Sequence, residues 1–481
     1  MSRARGVARA WCLCLMAGLA GLYAPPATTQ QPAPDTAQKQ NPQQNPPKPA
    51  AQEQQPGTGA QVHTGTSSGI DADLRLQNLL ADHQYFRVAD ELDQLPPEQA
   101  QLYRGVLANR ENNSRKSIEL LEPLIDKLAA SGDTAHEKLL RKALAEDYLR
   151  EGDMAKAARA YVALEEMVGS KLSADEQDEI EMPLKMLPLA ATIPPMTVDH
   201  CDPFVMQVSR DPLGLRDIPV FVDAVPHSWM LDPTAPFNLI ARSLTHQVGL
   251  KVSEESVTIH TLTGKPMQVH VTIIPRFTIG GRLTMHNMTA YVFEDADYFF
   301  PESKYQVQGV LGYTALQALG RLTITGDATI EVNPDKGAPG PNDDKGAHFF
   351  LDGDQIILAV GQVGKERMFA VDAGGQQSYF TSRYFDEHAS EFTGQTMEMF
   401  TVSEMASKSP QPAYIAETAA LDVGGTVVET HYIQVLTQPL GNAALDDVYG
   451  VLGVDILDQF RRYTFDYRTM RFNVGREDAA Q

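Results

Sequence analysis

The stretch WMLDPTAPFNLI, from Trp229 to Ile240, places an aspartate between two apolar runs. Three large apolar residues precede Asp232, and a turn-forming Pro-Thr-Ala-Pro follows it. Short apolar runs bounded by turn residues are typical of buried β-strands. The pattern therefore predicts a strand that carries a carboxylate at its end, a sharp turn, and a second buried strand.

A second copy of this arrangement lies further along the chain, in AVDAGGQQSYF around Asp372. Each copy is followed by a Gly-Val-Leu-Gly run, which ends at Gly312 in the first copy and at Gly453 in the second. The spacing from Asp232 to Gly312 is 80 positions, and that from Asp372 to Gly453 is 81 positions. A Gly-Gly pair falls between the aspartate and the Gly-Val-Leu-Gly run in both copies: Gly280-Gly281 and Gly424-Gly425. Matched landmarks at matched spacing indicate two tandem copies of one β unit.

The two copies resemble the two halves of a retropepsin-like or pepsin-like aspartic protease carried on one chain. In that family each half supplies an apolar strand, the motif Asp-Thr/Ser-Gly-Ala, and later an apolar-apolar-Gly element. Here Leu231-Asp232, Val371-Asp372 and the two Gly-Val-Leu-Gly runs carry the resemblance, which covers about residues 215–475. It implies an all-β bilobal domain with Asp232 and Asp372 as the catalytic pair. In such a pair two close carboxylates share a proton, one activates a water and the other protonates the peptide carbonyl, so no metal or cofactor is required.

The residues after each aspartate differ from the family motif. Pro233, Thr234 and Ala235 follow the first aspartate, and Ala373, Gly374 and Gly375 follow the second. The predicted turn-support positions among them are Thr234, Ala235, Gly374 and Gly375. The family's hydroxyl, which cross-links the two loops beneath the pair, is absent from both copies. Two functions therefore stay open: an active aspartic endopeptidase, or a catalytically degenerate relative that serves as a peptide-binding or scaffold protein. A lone aspartate would more often cap a turn, but its presence in both copies favours the catalytic pair.

A hairpin that covers the cleft is the next part that the resemblance implies. VTIHTLTGKPMQVHV has hairpin character, with Thr263 and Gly264 near its tip, where it would exclude water from the groove. An ordinary surface hairpin is the alternative. In the second copy the longer, Met-rich MEMFTVSEMASKSPQPAYIAE occupies the corresponding place.

Other groups that could carry chemistry have simpler explanations. Solvent-facing strand positions are favoured over a metal site for three of the histidines in the β region, which lack a pattern of acidic or thiol partners: His260, His270 and His286. His200-Cys201 lacks the surroundings of a thiol nucleophile. The Gly-Gly pairs do not open helices, so hairpin turns are favoured over phosphate binding.

Residues 70–190 precede the β region and show helical periodicity. One helix pair resembles a tetratricopeptide unit, through small and aromatic residues at matching positions: Ala143, Tyr148, Gly152, Asp153, Ala157, Ala158 and Tyr161. A generic helical bundle is the alternative, and either would offer a surface for a protein partner. The sequence thus predicts a multidomain chain, with an α-helical repeat-like domain followed by an all-β bilobal aspartic-protease-like domain. Its β lobes are predicted at residues 195–333 and 345–476, with PDKGAPGPNDDKGA between them.

The amino-terminal residues read as an export segment. Residues 1–24 combine early arginines with a short apolar run, which is typical of a signal peptide, and residues 25–68 form a Gln/Pro-rich linker with little to bury. After this segment Cys201 is the only cysteine, so no internal disulfide is expected. A net charge of −22 argues against nucleic acid as a partner. We therefore expect a periplasmic or extracellular protein with a peptide or protein substrate, and membrane contact only if the signal segment is retained.

Overall fold

A computed structural model describes residues 67–475 with several gaps. The residues outside the description within this span are 93–94, 169–179, 181–182, 189–193, 234, 236, 261–265, 327, 335–345, 353–354, 362–365, 405–406 and 442. The predicted signal segment and most of the predicted linker lie outside the described residues. Within the described part, none of the helices combines the length and the apolarity that crossing a membrane requires.

Residues 183–188 of the described chain are helical, and they are preceded by seven α-helices. They are α1 (Ser67–Ala81), α2 (Tyr85–Glu91), α3 (Pro97–Arg110), α4 (Ser114–Leu121), α5 (Ile125–Ser131), α6 (Thr134–Arg150) and α7 (Met154–Val168). Asp133 caps α6, because its carboxylate accepts the His136 N–H. The predicted helix pair corresponds to α6 and α7, which pack through the buried Ala143 and Ala157. The helical character of this region is confirmed, whereas its tetratricopeptide nature stays a prediction.

The rest of the chain is rich in β-strands. The first run of strands is β1 (Thr197–Val198), β2 (Phe204–Gln207), β3 (Ser209–Arg210), β4 (Arg216–Val222), β5 (Val225–Leu231), β6 (Leu239–Ala241), β7 (Val257–His260), β8 (Pro266–Ile279), β9 (Leu283–Phe293), β10 (Phe299–Phe300), β11 (Tyr305–Gln306), β12 (Gly309–Leu311), β13 (Arg321–Thr325) and β14 (Thr329–Asn333). The second run is β15 (Ala347–Asp352), β16 (Gln355–Val360), β17 (Arg367–Val371), β18 (Tyr379–Phe380), β19 (Glu398–Glu404), β20 (Ser407–Val423), β21 (Thr426–Leu436), β22 (Gly450–Leu452), β23 (Arg462–Asp466) and β24 (Arg471–Val474). Short helices accompany them: α8 (Arg242–Gln247), α9 (Tyr313–Leu316), α10 (Ser382–His388), α11 (Ala443–Asp446) and α12 (Val454–Leu457).

The described strands form two large sheets, and β10 and β11 pair with each other as a separate two-stranded sheet. In the first, β12 lies between β5 and β6, parallel to β5 and antiparallel to β6. In the second, β22 lies between β17 and β18 with the same two directions. The second sheet also contains β13, which pairs with β23, so strands from both runs share one sheet. The two copies seen in the sequence thus have the same strand pairing.

The Gly-Gly pairs lie in hairpin turns, as predicted. One joins β8 to β9 and the other joins β20 to β21. Gly424 and Gly425 have φ values of 60° and 86°, a left-handed conformation that glycine adopts without a steric penalty and that suits a tight hairpin turn. The sequence pattern was sufficient here because such turns depend on local backbone conformation.

The helices pack directly on the sheet that leads to Asp372. All six residues of β16, QIILAV, are buried. One face of β16, with Ile356, Leu358 and Val360, packs into the hydrophobic core formed by the β-strands. The other face, with Ile357 and Ala359, packs in a second hydrophobic cluster that includes residues of α1–α3. A strand that is covered on both faces requires an uninterrupted apolar run rather than an alternating one. This face of the helical region is therefore buried against the β region.

A buried group of charges accompanies this apolar contact. The Asp352 carboxylate, at the end of β15, lies 3.1 Å from His83 Nδ1 and 3.3 Å from Arg110 Nη2. Arg110 also donates a 3.0 Å hydrogen bond to Glu146. Burial works to raise the pKa of Asp352, but Arg110 and His83 hold that pKa well below its usual range. We refer to His83, Arg110, Glu146 and Asp352 as the docking charge cluster.

The charge on His83 predicts a pH dependence of stability. Burial works to lower the pKa of His83, but Tyr85 and Asp352 outweigh it, so the net pKa lies well above the usual value. A raised histidine pKa contributes stability that is fully present below the unfolded value of about 6.5 and is lost as pH rises through the folded value. His83→Asn should therefore lower the urea midpoint most at pH 5–6, and the difference from the wild type should shrink steadily above about pH 6.5.

Asparagine suits this test because His83 has a φ of 54°, and asparagine tolerates that conformation. The contribution of Asp352 has the opposite sign: it is present above about pH 3.9 and is lost as pH falls through the lowered folded pKa. The control is His431→Asn, which changes an exposed histidine and should leave the urea midpoint close to that of the wild type. A difference that grows between pH 6.5 and 9 would contradict the assignment.

Candidate active site

Asp232 lies at the end of a central strand and is almost completely buried, with 1% of its surface exposed. β5 runs parallel to β12 with Leu231 opposite Leu311. The Asp232 N–H donates a hydrogen bond to the Leu311 carbonyl at 3.1 Å, and the Ala235 N–H donates one to the Asp232 carbonyl at 3.2 Å. The Tyr313 N–H then donates to the Ala235 carbonyl at 2.7 Å. The backbone thus forms a closed loop around the aspartate.

Asp372 has the same backbone frame and is 7% exposed. β17 runs parallel to β22 with Val371 opposite Leu452. The Asp372 N–H donates to the Leu452 carbonyl at 2.8 Å, and the Gly375 N–H donates to the Asp372 carbonyl at 3.1 Å. The Val454 N–H donates to the Gly375 carbonyl at 2.7 Å. Each hydrogen bond of the first loop therefore has a counterpart in the second.

A polar side chain braces the first loop against the strand beside it. Asn238 Oδ1 accepts the Gly312 N–H at 3.1 Å, and Asn238 Nδ2 donates to the Thr314 hydroxyl at 3.0 Å. The Asn238 side chain is buried, so these bonds satisfy groups that would be costly to leave unpaired. They connect the end of the aspartate loop to the start of α9.

The second loop has a brace at the same two positions. Ser378 Oγ accepts the Gly453 N–H at 2.7 Å and donates to an Asp455 carboxylate oxygen at 2.5 Å. Asn238 and Ser378 each follow their aspartate by six positions, and Thr314 and Asp455 each follow the last glycine of their Gly-Val-Leu-Gly run by two. Sequence analysis missed these braces, because the residue types differ between the copies. The shared spacing was the available clue.

Two glycines are required where the loops come close to other atoms. A Cβ added at Gly375 would lie 2.1 Å from Asp372 Oδ2, so only glycine leaves room for this carboxylate. A Cβ added at Gly312 would lie 2.2 Å from the Phe237 carbonyl oxygen. The family resemblance had indicated Gly375 as a support position, and the close approach gives a physical reason for glycine there.

The two aspartates have different neighbours. Tyr313 follows Gly312, whereas the corresponding residue of the second copy is Val454. The Tyr313 ring contacts the Tyr467 ring with a centroid separation of 5.7 Å, and both rings are buried. Burial, together with Tyr313 and Asp232, raises the pKa of Tyr467 well above its usual value. The Asp232 carboxylate therefore lies close enough to this buried aromatic pair to affect the pKa of Tyr467.

A further pair of buried carboxylates lies on the neighbouring strand β4 and in the turn that precedes it. Asp217 of β4 is opposite Met230 of β5, and its pKa is raised to about 7 by burial and by Asp211. Burial also raises the pKa of Asp211, and the Tyr305 hydroxyl lies beside both carboxylates. Sequence analysis did not single out this pair, because Asp217 interrupts a strand pattern without any accompanying motif.

The remaining predicted positions divide into described and undescribed ones. Ala235 is buried in the first loop, and Gly374 is buried in the second. Thr234, Thr263 and Gly264 lie outside the described residues. The strands that flank Thr263 and Gly264 form the predicted hairpin, since β7 pairs antiparallel with β8.

The Met-rich counterpart of that hairpin is formed by β19 and β20. It exposes Met397 and Met399 to solvent. Two of the three histidines considered for a metal site have local partners: His270 Nδ1 lies 2.8 Å from the Ser253 carbonyl, and His286 lies 3.2 Å from Asp199. Among the described residues, no group of three or more side chains is arranged to hold a metal ion.

The chain was compared with known proteins. Residues 218–315 match the family model for aspartyl protease, which spans β4 to α9 and includes Asp232. No curated protein matches the chain. Among solved structures, a retropepsin-like aspartic protease from Rickettsia conorii is 18% identical, with a TM-score of 0.22, and the similarity covers 29% of this chain and 97% of that one.

Two seed globulins are also similar. Conglutin gamma, a basic 7S globulin from lupine seeds, is 10% identical with a TM-score of 0.35, covering 57% of this chain and 96% of that one. Basic 7S globulin from soybean is 10% identical with a TM-score of 0.33, covering 57% and 95%. The family match covers residues 218–315, so the similarity to aspartyl proteases includes Asp232 and the strands around it.

Proposed function

We propose that the chain is an exported aspartic endopeptidase in which Asp232 and Asp372 face each other across a groove between two β lobes. The observation that carries this proposal is the equivalence of the two loops: a buried aspartate in the same frame of backbone hydrogen bonds, with a brace at the same two positions. A loop that served only as a turn would not require a carboxylate in both copies. The export part of the proposal rests on the amino-terminal sequence.

The proposed reaction uses an activated water and no covalent intermediate. Two carboxylates that lie close together hold one proton between them, because ionising both is unfavourable. The ionised carboxylate accepts a proton from a water bound between them, and that water attacks the peptide carbonyl carbon. The protonated carboxyl donates its proton to the carbonyl oxygen, which gives a tetrahedral diol. Its collapse returns a proton to the leaving amine and breaks the C–N bond.

A peptide-binding or scaffold protein is the second candidate function. The observation that favours it is the absence of a hydroxyl after both aspartates, where Pro233 and Ala373 stand. Without that cross-link the two carboxylates need another support to keep their geometry, and loss of such geometry reduces the rate before it removes binding. A protein partner of the helical region would have to contact a face other than the one buried against β16 and β17.

The experiment that separates these candidates measures cleavage of an unfolded polypeptide by the purified protein from pH 3 to 7. We expect cleavage by the wild type and a decrease of roughly 10³-fold or more in Asp232→Asn and in Asp372→Asn, because residues that act as a unit fail together. The matched control is Asp386→Asn, which changes an exposed carboxylate on α10 and should leave the rate unchanged.

Each alternative result has a clear meaning. Cleavage that persists in both aspartate variants would exclude the proposed catalytic pair. A folded wild type that cuts nothing at any pH, but binds the same polypeptide, would support the scaffold function. Peptide binding can be followed with a fluorescent label on the polypeptide.

A further inference from the structure

The loop that carries Asp372 has a side-chain link to the first β run. Gln376 Nε2 donates a 2.6 Å hydrogen bond to the Leu213 carbonyl oxygen. Gln376 follows Asp372 by four positions, and Leu213 lies in the turn that precedes β4. The bond therefore joins the two copies of the β unit close to the proposed catalytic loop.

The turn that accepts this bond is itself firmly held. The Asp211 carboxylate accepts the N–H groups of Leu213 and Leu215, both at 2.8 Å. Arg210 donates to the Gly214 carbonyl at 2.7 Å and pairs with Asp458, just beyond α12, at 2.6 Å. The Leu213 carbonyl is therefore a fixed acceptor rather than part of a loose loop.

The backbone of the turn also fits the Gln376 side chain. Gly214 has a φ of 83°, which favours glycine, and a Cβ at this position would lie 3.1 Å from Gln376 Nε2. The turn thus adopts a left-handed conformation at the residue that faces the amide. In the first copy the residue four positions after Asp232 is Pro236, which has no side-chain donor.

The backbone of the Asp372 loop is bonded to its own copy. The Gly375 carbonyl accepts the Val454 N–H, and the Gln376 carbonyl accepts the Asp455 N–H at 3.3 Å. These bonds fix the loop against α12, whereas the Gln376 side chain fixes it against the other copy. The Asp372 loop is therefore held both by its own copy and by the first copy.

We propose that Gln376 is a positioning residue that replaces the missing hydroxyl cross-link. It connects the Asp372 loop to the turn at residues 211–215 and so determines how Asp372 is placed relative to the first copy. The cross-link stands on the hydrogen bonds alone, but its effect on rate rests on the proposed peptidase function.

The test replaces Gln376 by methionine, which keeps the length of the side chain and removes the donor. Hydrogen exchange is measured on the full chain, for peptides that cover residues 209–216 and 372–378. We expect amides in both segments to exchange at least about tenfold faster, because opening of the turn and of the loop becomes easier. Gln377→Met makes the same chemical change at the exposed neighbouring residue and should leave exchange unchanged.

The kinetic part of the test measures kcat per folded molecule, with the folded fraction taken from circular dichroism, so that general destabilisation does not imitate a loss of positioning. We expect kcat to fall roughly 10- to 100-fold in Gln376→Met while KM stays within about twofold, because the loop acts beneath the aspartates rather than on the bound peptide. Gly214→Ala disturbs the same hydrogen bond from the side of the turn. It should likewise lower kcat and leave KM nearly unchanged. If the wild type cuts no polypeptide, the peptidase proposal fails and the exchange result alone decides the cross-link.

The proposal is overturned if exchange in both segments matches that of the wild type. It is also overturned if an active enzyme keeps its kcat in Gln376→Met, or if the loss of kcat disappears once the rate is divided by the folded fraction measured by circular dichroism.

Discussion

Gly312→Ala is expected to lower the free energy of unfolding by about 3 kcal/mol or more. The new Cβ would lie 2.2 Å from the Phe237 carbonyl oxygen and 2.7 Å from the Ala235 carbonyl oxygen. Both are backbone atoms of the Asp232 loop, so no side chain can rotate away to make room. The φ of Gly312 is −103°, an ordinary value for alanine, and the whole effect is therefore steric.

The measurement is urea unfolding followed by tryptophan fluorescence. Trp229 is the only tryptophan after Trp11 and is fully buried beside β12, so its emission reports on this part of the protein. Gly453→Ala should behave similarly, because its Cβ would lie 2.7 Å from the Gln377 backbone. Circular dichroism can follow that variant if the tryptophan signal is less sensitive to the second copy.

Gly475→Ala is the control for these variants. Its Cβ would meet the flexible Arg462 side chain at 3.2 Å, which can move aside. A loss of less than about 1 kcal/mol is expected there. If Gly312→Ala lowered the free energy of unfolding as little as this control does, that result would contradict the close contact between the Gly-Val-Leu-Gly run and the Asp232 loop.

Asp352→Ala is the second change with a large expected effect, a loss of about 3 kcal/mol. The carboxylate lies between His83 and Arg110, whose side chains are 9% and 8% exposed. Without this carboxylate, the positive charges of His83 and Arg110 stay buried and lose a negative partner. The resulting loss of stability is larger than the stability that the intact ion pair provides. Arg110 keeps Glu146 as a partner, so the loss should lie at the lower end of the range for broken buried pairs.

Stability of this variant is best measured together with the integrity of the helical contact. Urea midpoints give the loss of stability, and limited proteolysis between α7 and β1 reports whether the helices separate from β16. Glu331→Ala removes a partner of Arg462 from an exposed, two-pronged ion pair and should cost less than about 1 kcal/mol. Equal losses in the two variants would contradict a buried role for the docking charge cluster.

Much of the site could be predicted because it depends on covalent spacing. The aspartates, the Gly-Val-Leu-Gly runs and the Gly-Gly turns recur at matched intervals, and each has a local conformational requirement that a sequence can show. The hairpins of the β region could be predicted for the same reason, because their turns depend on local backbone conformation. The braces at Asn238 and Ser378 could not be identified in this way, because an amide and a hydroxyl fill equivalent positions with different chemistry.

The helical region shows the opposite situation. Its periodicity predicted helices, yet nothing in that periodicity indicates which surface they cover. The uninterrupted apolar runs of β16 and β17 indicate strands with both faces covered. Only the folded chain reveals that α1–α3 supply the second cover and that this face is buried rather than open to a partner.

The sequence by itself determined the two strand–aspartate–turn units and their order, since these depend on neighbouring residues and on a repeated interval. The tertiary structure decided what holds the units in place: the contact of Gln376 with Leu213 and that of Asp352 with His83 and Arg110. These partners are separated by 163 residues in the first case and by more than 240 in the second. Such contacts form because folding buries both partners together, and no local pattern specifies them.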